Sequence, residues 1–192
     1  MKVLIVTQYF WPENFKINDL ALQLKNNGHE IDVLTGIPNY PGGKIFKGYS
    51  QINIKNDYYN GIKIYRSFIL TRGKNSRLRL FLNYISFVIF GSIKIIRLKK
   101  SYDLMFVYEP SPLTVTIPAI MKRKITKIPV VLWVTDLWPE SVIATINSSK
   151  ILKKIIYYLL NPVVDFIYNN VENILVTSKA FIPSIKSYGI DS

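Results

Sequence analysis

Two carboxylates stand where an open α/β sheet does its chemistry. Glu109, in the run Glu109-Pro110-Ser111-Pro112, closes an apolar segment at 103–107, and Asp136 follows a second one at 129–134. Both segments are predicted strands, and ligands of such sheets bind beyond the carboxyl ends of the strands. A carboxylate there can take the proton of an attacking hydroxyl. Each position also has a structural alternative. Ser111 could cap the helix that follows it, and Asp136 could cap the short helix that Pro139 opens. Glu109 has no such duty, and for Asp136 the two roles stay open on the residues alone.

A third group, Trp11, Glu13, Asn14 and Lys16, follows the first apolar run, KVLIVT at 2–7. Dinucleotide-binding proteins place a glycine-rich phosphate loop here. The segment Gln8-Tyr9-Phe10-Trp11-Pro12-Glu13-Asn14 has no glycine, so that fingerprint is absent. Backbone amides at the following helix start could still meet an anion, with Lys16 adding charge. The alternative is an aromatic lid over the sheet edge. The single histidine, His29, sits just past the first predicted helix, where an imidazole can favour the helix dipole or bond a last carbonyl, a role that outweighs a catalytic one. With one His and no Cys, thiol nucleophiles, disulfides, Cys-based zinc sites and three-His or two-His-carboxylate metal sites are all excluded. No metal site and no cofactor are expected.

Alternating elements position these groups. Strands are predicted at 2–7, 31–35, 62–70, 103–107, 129–134 and 173–177, with a short β segment at 51–54 joined through a turn at Asn60-Gly61. Helices are predicted at 13–27, 76–98, 112–124, 150–171 and 179–187, plus a short one after Pro139. Strands alternating with helices imply a Rossmann-like, doubly wound, mostly parallel sheet. At 192 residues the chain suits one such domain. Apolar residues make up 49% of it, enough for a packed core and incompatible with intrinsic disorder.

Charge is the other positive clue. The net charge is +13 and the isoelectric point is near 9.8. Between Asp57 and Asp103 there is no acid, while Lys63, Arg66, Arg72, Lys74, Arg77, Arg79, Lys94, Arg97, Lys99 and Lys100 all fall there. Such a field suits nucleic acid, anionic lipid or phosphorylated substrates. Part of the excess follows the Lys-, Ile-, Asn- and Tyr-rich composition that an AT-rich genome imposes. No motif interleaves the aromatics with the basic runs, so nucleic acid is not expected. The helix at 76–98 has polar residues Arg79, Asn83, Ser86, Lys94 and Arg97 in a narrow stripe and is otherwise apolar. Arg79 and Lys94 enclose fourteen residues, roughly 21 Å of helix, short of the about 30 Å of a bilayer core. It is expected either to fill the core or to lie in the plane of an anionic membrane, held by Arg77, Arg79, Arg97, Lys99 and Lys100.

Gly28-His29-Glu30, the loop Leu34-Thr35-Gly36-Ile37-Pro38-Asn39-Tyr40-Pro41-Gly42-Gly43 and the segment Asp136-Leu137-Trp138-Pro139-Glu140-Ser141 together resemble glycosyltransferase family 4. They are most similar to its bacterial members that build surface polysaccharides, such as fucosamine transferases of O-antigen and colanic acid assembly. The resemblance spans essentially all 192 residues. It implies one half of a GT-B fold, the N-terminal acceptor-binding domain, with the nucleotide-sugar bound mainly by a second domain outside this sequence. It implies metal-independent transfer with retention, Asp136 and then Glu109 near the acceptor hydroxyl, and a cleft lined by Trp11, Glu13, Asn14, Lys16, Asn39, Tyr40, Trp138 and Glu140. The glycine pair that many members carry after the first strand is replaced by Glu13-Asn14-Phe15-Lys16. The acceptor it implies is a saccharide on a polyprenyl diphosphate. Met1-Lys2 leads straight into VLIVT with no small-residue cleavage site, so a peripheral place on the cytoplasmic face of the plasma membrane is expected. The alternative function is a non-catalytic, membrane-associated scaffold that recruits a separate donor-binding chain.

Overall fold

The computed structural model describes residues 1–73, 76–147 and 149–190, so Lys74 of the basic stretch lies outside the described residues. The chain runs β1 (Lys2–Val6), α1 (Lys16–Asn26), β2 (Glu30–Gly36), β3 (Asp57–Tyr59), β4 (Ile62–Ser67), α2 (Arg77–Arg97), β5 (Leu104–Glu109), α3 (Ile117–Thr126), β6 (Val130–Val134), α4 (Glu140–Thr145), α5 (Lys150–Tyr168), β7 (Asn173–Val176) and α6 (Ile182–Lys186). Short 3-10 turns at Leu113–Thr116 and Lys179–Phe181 lead into α3 and α6. One seven-stranded sheet takes the order β3-β4-β2-β1-β5-β6-β7. Every pairing is parallel except β3 with β4. The doubly wound α/β architecture is therefore as expected.

Alternation along the central strands feeds two cores. Val3 and Ile5 of β1 pack with Ile17 and Ala21 of α1, and with Ile62 and Ile64. Leu4 and Val6 face the other way, joining Phe87 and Ile95 of α2, Ala119 and Ile120 of α3, and Val164 and Ile167 of α5. All these side chains are buried. Chain direction then delivers the loops after β1, β2, β4, β5 and β6 to one edge of the sheet, its carboxyl edge.

Two local expectations are corrected. The β segment expected at 51–54 is Asp57–Tyr59 instead, because a two-residue turn must join adjacent residues: Tyr59 pairs with Ile62 across Asn60 and Gly61. Those two turn residues have φ of 46° and 76°, the left-handed geometry a tight hairpin demands. Helix α1 starts at Lys16 rather than near Glu13, because Glu13 is drawn inward to serve a loop.

The polar stripe of helix α2 is divided between the interior and the surface, with Arg79 and Arg97 exposed. Asn83 and Ser86 point into the fold and are buried. Asn83 accepts from the Gln8 side chain at 2.6 Å and donates to the Leu70 carbonyl. The Ser86 hydroxyl accepts from the Leu70 amide at 2.9 Å and donates to the Asn83 carbonyl. These bonds satisfy the buried polar groups and tie the strand-to-helix connection down. Gly91 brings α2 close to α3, where an added Cβ would meet Pro118 Cγ at 3.3 Å. The outward face is left apolar: Leu78 and Phe81 are 68% and 58% exposed, and Leu82, Ile85, Ile89, Ile93 and Ile96 continue the stripe. The helix has 21 residues and contains an 18-residue window of mean hydropathy 1.5, long and apolar enough to cross a membrane by length and composition. In this fold its other face is packed on the sheet and α3.

Candidate functional site

Glu109 ends β5 and is buried beneath the loop that follows β6. Its Oε2 accepts from the backbone amides of Thr135 (3.3 Å) and Asp136 (3.2 Å), while the Thr135 hydroxyl donates to the Glu109 carbonyl at 2.6 Å. Its Oε1 is buried with no hydrogen-bond partner among the described residues. Burial pushes the Glu109 carboxyl well above its ordinary range, and the charge of Asp136 pushes the same way; the amides of Asp136, Thr135 and Ser111 pull it back. Asp136 is thus held by its own backbone, and its Oδ2 accepts from the Trp138 indole at 3.2 Å. It does not cap α4, whose N-cap is Pro139 with no side-chain bond. Ser111 caps nothing either, since the following turn is preceded by Pro112. Instead Ser111 sits at φ 105°, a left-handed backbone that persists only where the surroundings impose it. Its hydroxyl meets Tyr84 of α2, which also feels the charges of Arg72, Asp136 and Glu109.

A second buried carboxylate organises the other half of the edge. Glu13 Oε1 accepts from the amides of Asn39 (2.8 Å) and Tyr40 (2.6 Å), pinning the loop after β2 to the loop after β1. Glu13 is 2% exposed, and its Oε2 has no partner among the described residues. Burial raises its pKa to about 7, against those two amides. Asn39 is buried and its Oδ1 accepts from the Arg72 amide at 3.2 Å. The Tyr40 ring packs on Tyr9 and Phe15 and carries the Arg72 guanidinium 4.9 Å from its centre. The structure therefore gathers Glu13, Asn39 and Tyr40 on one side and Glu109, Asp136 and Trp138 on the other, with Tyr9, Arg72 and Tyr84 between them.

Other expected residues fall elsewhere. Trp11 is exposed and stacks on Tyr59 at 4.7 Å, and Asn14 and Lys16 are exposed. Glu140 accepts from Ser184, fastening α4 to α6. His29 lies within 3.5 Å of the terminal amine, at the opposite edge of the sheet. Lys100 does not belong to a free membrane patch: it pairs with Glu30 at 2.7 Å and with buried Asp32 at 2.6 Å. Arg77, Arg79, Arg97 and Lys99 are exposed around the ends of α2. Arg66, read only as part of the basic run, is buried, paired with Asp57 at 3.0 Å beside a cavity of about 380 Å³. Among the described residues no group of three or more His, Asp or Glu side chains could hold a metal ion. Arg72, Tyr9 and Tyr84 were missed as site residues. Arg72 and Tyr9 follow β4 and β1, so the carboxyl-edge rule applied to every strand would have found them; Tyr84 carried no such signal.

No family model matches the sequence, and no curated protein matches it. Solved structures do. The chain is similar to sucrose-phosphate synthase from Thermosynechococcus elongatus, with a TM-score of 0.57 and 15% identity over 97% of this chain and 43% of that one. A second, shorter chain of the same enzyme matches with a TM-score of 0.54 and 13% identity, over 97% of this chain and 81% of that one. The chain thus spans less than half the length of the longer structure. It has the Rossmann-like fold of a GT-B glycosyltransferase domain. That likeness carries the fold; the narrower similarity to family 4 and to O-antigen assembly rests on the sequence motifs.

Proposed function

We propose that this chain is the acceptor-side domain of a retaining, metal-independent glycosyltransferase. It would move a sugar from a nucleotide-sugar onto a saccharide linked to polyprenyl diphosphate, in bacterial surface-polysaccharide assembly. The observation that carries the proposal is Asp136: a half-buried carboxylate at the sheet's carboxyl edge, fixed through its own amide by buried Glu109 and free of any capping duty. Asp136 takes the proton of the acceptor hydroxyl as the sugar arrives, and Glu109 is a positioning residue that keeps the Asp136 loop in place. The donor is held mainly by a second domain outside this sequence. A lipid-linked acceptor places the domain on the cytoplasmic face of the plasma membrane. The outward apolar stripe of α2, with Arg77, Arg79, Arg97 and Lys99 at its ends, suits that surface.

The test is Asp136→Asn in the two-domain enzyme. Asn cannot accept the proton, so turnover should fall ~10²–10⁴-fold while the melting temperature holds. A variant that melts normally and keeps its turnover removes Asp136 from the chemistry.

A further inference from the structure

At the carboxyl edge one half-buried, ring-stacked arginine has a charge that no carboxylate among the described residues answers. Arg72 lies five residues beyond the end of β4, on the connection to α2. That connection is fixed on both sides of it: Leu70 is held by Asn83 and Ser86 of α2, and the Arg72 amide by Asn39. The guanidinium lies against the Tyr40 ring, and its charge reaches the hydroxyls of Tyr9 and Tyr84. Three cations elsewhere in the fold have carboxylate partners. Arg66 pairs with Asp57, Lys100 with Glu30 and Asp32, and Arg123 with Glu172. Arg72 has no carboxylate partner, and its side-chain N–H groups have no acceptor, among the described residues. The acids of the cleft are engaged elsewhere: Glu13 and Glu109 are turned onto backbone amides, and Asp136 accepts from the Trp138 indole.

An arginine kept half-buried, stacked on an aromatic face and left with its planar fork of donors unused is built to take an anion of matching geometry. Phosphate oxygens fit that fork. We infer that Arg72, presented by Tyr40 and flanked by the Tyr9 and Tyr84 hydroxyls, is the diphosphate contact of this cleft. It takes over the task that a glycine-rich loop after β1 would perform and that the sequence around Glu13 cannot. The inference rests on the proposed glycosyl transfer for the identity of its ligand. Two diphosphates then qualify, the lipid-linked acceptor's and the nucleotide-sugar's, and the chemistry recognised is the same.

The test is calorimetric titration of the enzyme and its Arg72→Gln, Arg72→Met and Arg72→Lys variants with inorganic pyrophosphate, farnesyl diphosphate and UDP, with melting temperatures recorded. Loss of charge-assisted bonds should weaken diphosphate binding about 10- to 100-fold in Arg72→Gln and Arg72→Met. Arg72→Lys should keep part of the affinity, through charge without the fork. Melting temperatures should stay close to the parent's, because the loop is anchored by backbone groups. A loss confined to farnesyl diphosphate assigns Arg72 to the acceptor, and a loss confined to UDP assigns it to the donor. Equal affinity of parent and both uncharged variants for all three probes overturns the inference. So does an absence of binding to the parent at about 1 mM. No sugar transfer is read, so an Asp136→Asn enzyme that kept its turnover would leave the Arg72 result standing.

Discussion

The two edges of the sheet each bury carboxylates, and they treat them in opposite ways. Towards the amino edge, Asp32 of β2 has a counter-charge: its Oδ2 accepts from Lys100 Nζ at 2.6 Å and from the Tyr102 hydroxyl at 2.7 Å. That cluster clamps the connection between α2 and β5 onto β2. At the carboxyl edge, Glu13 and Glu109 each spend one oxygen on two backbone amides and leave the other buried without a partner among the described residues. Burying a charge without a counter-charge is costly, and burial raises both carboxyls accordingly. A paired carboxylate holds the fold together. A half-answered one, at the edge where loops converge, gives up stability at the place where the proposed chemistry would occur.

Removing each kind of carboxylate should therefore cost different things. Glu109→Ala frees the Asp136 amide and should cut turnover about 10²-fold, the scale set by misplacing a reacting group by an ångström. Glu109→Gln keeps an acceptor in the same place and resembles the neutral acid that burial favours, so it should restore most of that loss. Asp32→Ala should do the reverse, lowering stability by about 2 kcal/mol while turnover per folded molecule holds. The figure stays below that of a fully buried pair because Lys100 retains Glu30 and water. Chemical denaturation run beside a turnover assay checks both, and equal stability losses with equal turnover would erase the contrast.

Glu13 sharpens it through pH. Its folded pKa of about 7 stands above its ordinary 4.5. Below about pH 4.5 both folded and unfolded chains carry the proton, so the folded state loses nothing. As pH rises towards 7 the unfolded chain sheds its proton first, and stability falls; beyond 7 this contribution is flat. Glu13→Gln should remove that decline from a series of melting temperatures taken between pH 4.5 and 7. An identical pH profile in the variant would show that the fold does not raise the Glu13 pKa into this range.

A last contrast, whose Lys100 arm should show no effect at all, separates the cations. Replacing Arg77, Arg79, Arg97 and Lys99 with Gln should weaken co-sedimentation with anionic vesicles, each contributing about 1 kcal/mol at low salt. Lys100→Gln should leave co-sedimentation unchanged, because that charge is already engaged at the amino edge. Equal losses would return Lys100 to the surface patch.

Much of this was legible in the residues. Apolar β-branched runs and the glycine after α1 gave the strand and helix order, the carboxyl-edge rule pointed to Glu109 and Asp136, the position after the first strand pointed to Glu13, and only the family resemblance pointed to Asn39 and Tyr40. What escaped depended on bonds across long stretches of chain. Asn83 reaches Gln8 seventy-five residues away, and nothing local shows that a polar residue on a helix will turn inward to be satisfied there. Lys100 failed for the same reason: its partners Glu30 and Asp32 lie on another strand. The hairpin register was readable from Asn60-Gly61, yet the predicted strand was placed six residues too early.

The outward apolar face of helix α2 also governs how the protein behaves in the test tube. Dissolved copies are kept apart chiefly by their shared positive charge, while Leu78, Phe81, Ile85 and Ile89 offer a greasy seam to any neighbour. Added salt weakens the repulsion and leaves the seam untouched. Raising ionic strength should therefore drive this chain to self-associate rather than keep it dispersed, and a mild detergent should serve it better than a saline buffer.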